Sequence, residues 1–319
     1  MLYQLGANVI GYSKHIPFDK PCLFTETGVE CYVTSVKGDI TDYAALKDTF
    51  DIYQPEIVFH LAAQPLVIQG YKEPHKTFET NIMGTTNVLE CCRLSKSTKS
   101  IVVVTTDKVY ENQEWAWPYR ENDKLGGQDP YSLSKSMADN IATLYSNLYF
   151  KDMNISCSRA RAGNVIGGGD FAENRIIPDC VRAIQNNEPI NIRNPYSIRP
   201  YQHVLDVLYG YLTIAKEHYG KEGAYNIGPA TESAIYTIDL VNTFFTLWGK
   251  GECVITEGEY KESGLLQLDS SLMRQTFNWS PKMNIKEAIK ETVLWYQHWL
   301  AGDNMNKYTM KQIERFFNV

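Results

Sequence analysis

Short apolar runs alternate with helical periods along the first half of the chain. The clearest run is Ser100-Ile-Val-Val-Val-Thr-Thr-Asp-Lys-Val-Tyr110. Its β-branched stretch, Ile101 to Val104, predicts a fully buried strand that breaks into Thr105, Thr106, Asp107 and Lys108. Upstream, residues 1–5 look like a helix end closed by Gly6, and Ala7 to Tyr12 read as a short strand. Val36 to Ile40 lead into a helix over Thr41 to Asp51, with Thr41 or Asp42 as its cap. Ile57 to Phe59 predict another buried strand, leaving through the small residues Ala62-Ala63. Thr80-Asn81 open a helix that runs through Cys92, apolar at Ile82, Val88 and Leu89. A second helix opens at Tyr131, with Pro130 before it and Asp129 as cap, and continues through Met137, Ile141, Leu144 and Leu148.

Asn154 to Gly163 form a further strand, and the repeated alternation predicts an α/β fold with a doubly wound parallel sheet. Asn164-Val-Ile-Gly-Gly-Gly-Asp170 then reads as a flexible crossing, because it lacks both the lysine and the spacing of a phosphate loop. Later elements are a helix of about ten residues after Arg175 and an amphipathic helix from Ile285 to Leu300. A polar, weakly helical tail follows Asp303.

With 319 residues, 44% of them hydrophobic and 21% charged, the chain supports a sizeable core in one large or two coupled domains. A net charge of −6 argues against a nucleic-acid surface, yet leaves room for a local basic pocket. The seven cysteines form no C-x-x-C pair, which suggests reduced thiols and a cytoplasmic setting. There is no signal peptide, no apolar run long enough to span a bilayer, and no metal-ligand spacing among the six histidines.

The candidate chemistry sits where strand and helix meet. Tyr131 and Lys135 are four apart, so both project from one helix face. An ammonium one turn away favours a phenolate and lowers the phenol's pKa. A Thr106 hydroxyl at the strand's end can bond the same substrate oxygen, so the trio suits proton abstraction from a sugar hydroxyl as hydride leaves to a nicotinamide. Tyr-x-x-x-Lys alone is common by chance; its place about 25 residues after Thr-Thr-Asp-Lys gives it weight. The polar, aromatic stretch from Glu111 to Asp123 leaves the sheet's carboxyl rim, and reads as a substrate loop or as a surface loop with two packed tryptophans. Arg175, Arg193 and Arg199 suit a diphosphate, or each pairs with a carboxylate such as Asp206. His203 is either a structural histidine or a site residue.

Several long stretches together resemble the extended short-chain dehydrogenase/reductase family, and within it the CDP-glucose 4,6-dehydratase branch. They are His60-Leu-Ala-Ala-Gln-Pro-Leu, Thr106-Asp-Lys-Val-Tyr-Glu-Asn-Gln-Glu-Trp, Asp129-Pro-Tyr-Ser-Leu-Ser-Lys, Arg161-Ala-Gly-Asn-Val-Ile-Gly-Gly-Gly-Asp, Ile192-Arg-Asn-Pro and Ile198-Arg-Pro-Tyr-Gln-His-Val-Leu. The resemblance runs from about residue 5 to about 300. It implies a Rossmann-like, NAD-binding domain over residues 1–163. A smaller nucleotide-sugar-binding α/β domain would occupy 164–319, with some segments returning to the first sheet. It places Asp39 and Ile40 by the adenine, Leu61, Ala62 and Ala63 by the ribose and diphosphate, and counts Thr80 with them. It gives Asn164, Arg175, Arg193, Arg199 and His203 to the substrate. Tyr131 becomes the base for C4 oxidation, tuned by Lys135, with Thr106 holding the hydroxyl and Asp107 protonating the leaving hydroxyl at C6. Lys108 stands where dTDP-glucose and GDP-mannose dehydratases carry a glutamate, and either takes the C5 proton or orders Asp107. The family forms homodimers or homotetramers, and the outer face of the Tyr131 helix is the candidate contact.

The chain departs from that pattern in three places. The first strand and its G-x-x-G-x-x-G turn are missing, so the expectation is a truncated chain or a misassigned start. Tyr12 and Ser13 replace the acidic residue expected after Val9-Ile10, and Lys261-Glu262 replaces a His-Glu pair. Two other readings stay open: an epimerase or 5-inverting dehydratase of the same family, and a non-catalytic nucleotide-sugar-binding remnant.

Overall fold

The computed structural model describes residues 1–14, 21–216, 220–230, 233–256 and 264–318; Lys261 and Glu262 lie outside them. The first half runs β1 (Ile10–Ser13), α1 (Leu23–Glu26), β2 (Thr34–Lys37), α2 (Tyr43–Tyr53), β3 (Ile57–His60), α3 (Val67–Lys72), α4 (Pro74–Phe78), α5 (Gly84–Leu94), β4 (Ser100–Val104), α6 (Pro130–Tyr145) and β5 (Ser156–Ala162). The second half runs β6 (Val165–Ile166), α7 (Ile176–Asn186), β7 (Ile190–Ile192), β8 (Ile198–Arg199), β9 (Gln202–His203), α8 (Val204–Lys216) and β10 (Ala224–Ile227). It closes with β11 (Ile235–Tyr236), α9 (Thr237–Trp248), β12 (Cys253–Ile255), α10 (Ser271–Phe277), α11 (Ile285–Leu300) and α12 (Met305–Phe317).

β3, β4, β5 and β10 form a parallel sheet in that order, so a segment of the second half returns beside β5. Ile101 and Val103 of β4 pack against α2 and α5 through Leu46, Phe50, Val88 and Leu89. Val102 points the other way, into Val207, Tyr211, Ile214 and Phe277 of α8 and α10. Both faces are covered, which is why β4 is apolar at every position from Ile101 to Val104 rather than at alternate ones. Each such side chain contributes about 1.5–3 kcal/mol by leaving water.

β1 and β2 form a separate parallel pair. Among the described residues no strand pairs with the other edge of β1, nor with the edge of β3 away from β4. Tyr12 of β1 and Val58 of β3 pack on the same cluster. The expectation that Ile57 is buried fails for this reason: it starts an edge strand and is 48% exposed. A second anchor holds the β1–β2 unit to the far end of the chain. Trp299 Nε1 donates to Glu26 at 2.8 Å, and Asn306 Nδ2 donates to the Thr27 carbonyl at 2.6 Å.

The Gly167–Gly169 crossing is close-packed, not the flexible link its composition suggests. A Cβ on Gly168 would lie 2.0 Å from Trp295 Cγ, and one on Gly169, at φ +81°, 2.4 Å from Leu23 Cδ1. Arg182 fixes the same loop by donating to the Phe171 and Ala172 carbonyls, both at 3.1 Å. The helix expected to open at Thr80 also reads differently. Pro74 opens α4, and Glu79–Met83 form one π turn that carries helical backbone on into α5. Asn81 is no cap; its side chain reaches other elements from inside that turn.

Candidate active site

Thr105 and Thr106 leave β4, and Asp107–Val109 turn at once into a single 3-10 turn. Thr106 Oγ1 accepts from the Lys108 N–H at 3.3 Å and donates to Asp107 Oδ1 at 2.9 Å. Asp129 caps α6 by accepting from the Ser132 N–H at 2.9 Å, which sets Tyr131 and Lys135 on the buried helix face. The Tyr131 phenol hydrogen-bonds Thr106, and Lys135 Nζ donates to the Val104 carbonyl at 2.7 Å. The end of the strand and the first turns of the helix are therefore joined by the side chains that carry the chemistry.

Burial dominates the electrostatics. It pushes Tyr131 up to about 12, with the Asp107 charge adding to the rise and the Thr106 bond opposing it. It pushes Lys135 down to about 8 against the pull of Asp139. It also raises Asp107, against Lys108, Thr106 and Arg199. The expected lowering of the Tyr131 phenol by Lys135 is thus outweighed: the ammonium is spent on the Val104 carbonyl, and desolvation prevails.

A cavity of about 1820 Å³ runs past these groups. Leu61, Thr106, Asp107, Lys108 and Tyr131 line it, and so do Asn164, Arg175, Arg193 and Arg199. Asp107 is 2% exposed, and its Oδ2 has no hydrogen-bond partner among the described residues. Arg199, which its guanidinium chemistry suited to a diphosphate, is buried and close enough to Asp107 to steady its charge. Arg175 pairs with Asp170 at 2.9 Å, while Arg193 is exposed on the wall beside Asp179. Asp206, offered by sequence as an arginine's partner, instead accepts from the Lys282 and Met283 N–H groups at 2.6 and 3.3 Å.

Other expected site residues do not line this cavity. Asp39 pairs with Lys14 at 2.5 Å and accepts from the Thr41 N–H at 3.0 Å. The Tyr12 ring lies over Gly38, where a Cβ would approach it to 2.2 Å. Ile40 is buried against Gly84. Ala62, Ala63 and Thr80 stand off the cavity, Thr80 within the π turn. His203 is a correction to its placement with the substrate: it is 1% exposed, off the wall, and its Nδ1 accepts from the Leu205 N–H at 3.3 Å.

Sequence reasoning missed Asn81, which holds the wall to the catalytic helix. Its Oδ1 accepts from the Gln64 N–H at 2.8 Å, and its Nδ2 donates to the Gln64 carbonyl at 3.1 Å and to Ser134 Oγ at 2.8 Å. The signal was a Thr-Asn pair, which reads as a helix cap and here belongs to a π turn, a feature common at functional sites.

Two buried histidines set the acid limit of the fold. His60, bonded to Thr85 at 2.8 Å, is pushed down to about 3, and His203 to about 4, both mainly by burial. Unfolding below pH ~6.5 therefore takes up protons, and stability falls with pH by about 1.4 kcal/mol per unit for each. Between pH 7.5 and 5 the two cost about 4 kcal/mol together. Asp206, raised to about 6 by burial, works oppositely and returns about 1.4 kcal/mol. A net loss of about 3 kcal/mol is expected in urea unfolding at the lower pH; equal stability at both would contradict the neutral assignment.

The sequence profile of the GDP-mannose 4,6 dehydratase family matches residues 23–292. The chain belongs to that family. It is 40% identical, over 330 aligned positions spanning 100% of this chain and 91% of the relative, to the CDP-glucose 4,6-dehydratase of Salmonella typhimurium. The fold matches the UDP-glucose 4-epimerase of Thermotoga maritima, solved with UDP-glucose, at a TM-score of 0.83, with 22% identity and 94% of each chain covered. It matches the dTDP-glucose 4,6-dehydratase of Bacillus anthracis, solved in complex with NAD, at 0.77, with 23% identity and coverage of 91% and 88%. Membership of this nucleotide-sugar dehydratase family accounts for the Rossmann-like α/β sheet. No helix among the described residues is long and apolar enough to cross a membrane.

Proposed function

We propose that the chain converts CDP-glucose to CDP-4-keto-6-deoxyglucose, as a hydro-lyase that uses NAD, for deoxysugar biosynthesis. The observation that carries this reading is the convergence of Thr106, Asp107, Lys108 and Tyr131 on one wall of a cavity large enough for a dinucleotide and a sugar nucleotide together. The choice of cytidine rests on the 40% identity over the whole chain.

The nicotinamide half of the site fits the cofactor. Leu61 is 58% exposed on the rim of β3, and Asn81 fixes the backbone behind it. In this reading Leu61 and Tyr131 line the cofactor's place, with Ala62 and Ala63 behind Leu61 toward the ribose and diphosphate and Lys135 behind Tyr131. Asp39 and Ile40 lie toward the adenosine end, where Tyr12 already covers Gly38; Thr80 carries no part. The chemistry that NAD would supply there is acceptance of hydride from C4 and its return at C6. Tyr131 removes the C4 hydroxyl proton, with Thr106 holding the same oxygen. The resulting ketone acidifies the C5 proton. Asp107, whose carboxyl burial raises above the ordinary carboxylate range, gives its proton to the C6 hydroxyl as that leaves as water. Asn164, Arg175, Arg193 and Arg199, which line the same cavity, face the nucleotide sugar. His203, which is sealed from the cavity, takes no part.

Residues 1–163 serve as the cofactor domain and 164–319 mainly as the substrate domain. The free thiols of all seven cysteines suit a cytoplasmic enzyme. Exposed Met137, Leu144, Leu148 and Tyr149 suit a homodimer or homotetramer built on the outer face of α6.

The deciding experiment is incubation with CDP-glucose, with and without added NAD, followed by mass spectrometry. Loss of one water supports the reading; an epimer of unchanged mass, or failure to bind NAD, overturns it. Lys108→Ala is expected to abolish elimination while C4 oxidation stays measurable. Full dehydratase activity in that variant removes Lys108 from the elimination, both as C5 base and as the residue that orders Asp107.

A further inference from the structure

Beneath Tyr131 and Lys135 the same face of α6 carries a third polar residue, Asp139, one further turn along. It is fully buried. Its Oδ1 accepts from Arg161 Nη2 at 2.7 Å, and its Oδ2 accepts from Arg161 Nε at 2.8 Å and from Thr105 Oγ1 at 3.1 Å. Arg161, on β5, also donates from Nη1 to the Tyr110 hydroxyl and to the Glu121 carbonyl, each at 2.9 Å. One carboxylate thus joins the catalytic helix, the strand end beside Thr106, and through Arg161 the loop that leaves the active site.

We propose that Asp139, clamped by Arg161, is the positioning residue for Lys135. It stands one helical turn beyond the lysine on the same buried helix face and supplies the negative charge there. The inference rests on the reading in which Lys135 acts with Tyr131.

The surroundings of Lys135 leave this task to Asp139. On β3, His60 is neutral and offers no counter-charge. On the 3-10 turn, Asp107 is held toward its neutral form and lies beside the Lys108 cation. On β5, Arg159 and Arg161 are cations, and Arg159 Nε comes within 3.9 Å of Asp139 Oδ1. On α5, Glu90 is paired with Arg93. The charged groups of α3 and α4, at Lys72, Glu73, His75 and Lys76, are exposed, as is Glu79 of the π turn.

The sign of one titration separates this from a merely structural role. Loosening the core lets water in and raises the Lys135 midpoint toward an ordinary lysine's. Losing the carboxylate's field lowers it. Lys135 is followed by the 13Cε chemical shift across pH, with Lys135→Arg identifying its signal. Asp139→Asn is expected to lower the midpoint by about one pH unit or more. Tyr110→Phe, which removes a hydroxyl from the same network, should leave it in place. If Asp139→Asn does not fold, the double variant Asp139→Asn, Arg161→Gln is compared with Arg161→Gln alone, and its midpoint should lie below that single variant's. A midpoint that stays or rises in the aspartate variants overturns the inference. The titration needs neither sugar nor NAD, so its outcome is independent of the dehydratase assay. Where that assay succeeds, the alkaline limb of sugar-dependent NAD reduction should move to lower pH in Asp139→Asn, with KM for the sugar unchanged.

Discussion

Tyr131→Phe is expected to abolish sugar-dependent reduction of NAD, lowering its rate by about a thousand-fold or more and leaving substrate affinity within a few fold. That loss corresponds to about 4 kcal/mol of transition-state stabilisation. The phenol is the group at the junction of β4 and α6 that can take the C4 proton, because Thr106 already donates to Asp107 and Lys135 to Val104. Burial holds the phenol near 12, so the proton must move as hydride departs, not before. Removing the hydroxyl sacrifices one hydrogen bond to Thr106, worth about 1 kcal/mol, and keeps the ring's packing. The protein should therefore remain folded. Single-turnover absorbance of reduced nicotinamide measures the effect, and wild-type burst kinetics in the variant would reject Tyr131 as the base.

Asp107→Asn should separate the two halves of the reaction. Oxidation at C4 proceeds, while loss of water slows by about 10²–10³-fold, because an amide cannot give up a proton to the leaving hydroxyl. The expected observation is a 4-keto hexose of full oxygen content, together with reduced nicotinamide, accumulating on the enzyme. Burial raises the Asp107 carboxyl, so in the wild type elimination weakens as rising pH deprotonates it. That limb should be absent in the variant. Water loss at the wild-type rate would remove Asp107 from the acid role.

The sheet and the chemistry were legible in the sequence to different depths. Ile101 to Val104 announced a strand covered on both faces, and Asp129-Pro130 announced the start of α6, because both signals are local. Ile57 misled, since a strand's own composition says nothing of which neighbours it meets. The three glycines misled for a related reason. Their composition suggests freedom, while Trp295 and Leu23, distant in sequence, make their small size a packing requirement. At the site, Thr106, Asp107, Tyr131 and Lys135 come together as their spacing implied. The direction of the Tyr131 shift did not follow, because spacing conveys proximity and not desolvation. Asp139 and Arg161 were invisible as a pair: one lies deep in a helix, the other in a strand, and only the fold brings them to 2.7 Å.

The separate β1–β2 pair has a consequence for how the protein breathes. β4 and β5 sit at the centre of a covered sheet, and their amides exchange with solvent only when the whole domain opens. Among the described residues β1 has a ladder on one side alone, so the ladder by itself makes a weaker cooperative unit. The Trp299–Glu26 and Asn306–Thr27 bonds join residues 273 and 279 positions apart, and they couple the segment between β1 and β2 to α11 and α12. Because α11 carries Ile289, Trp295 and Tyr296 in the core, these bonds let the segment after β1 borrow the rigidity of that helix, so its amides should exchange more slowly than the short β1 ladder alone would allow.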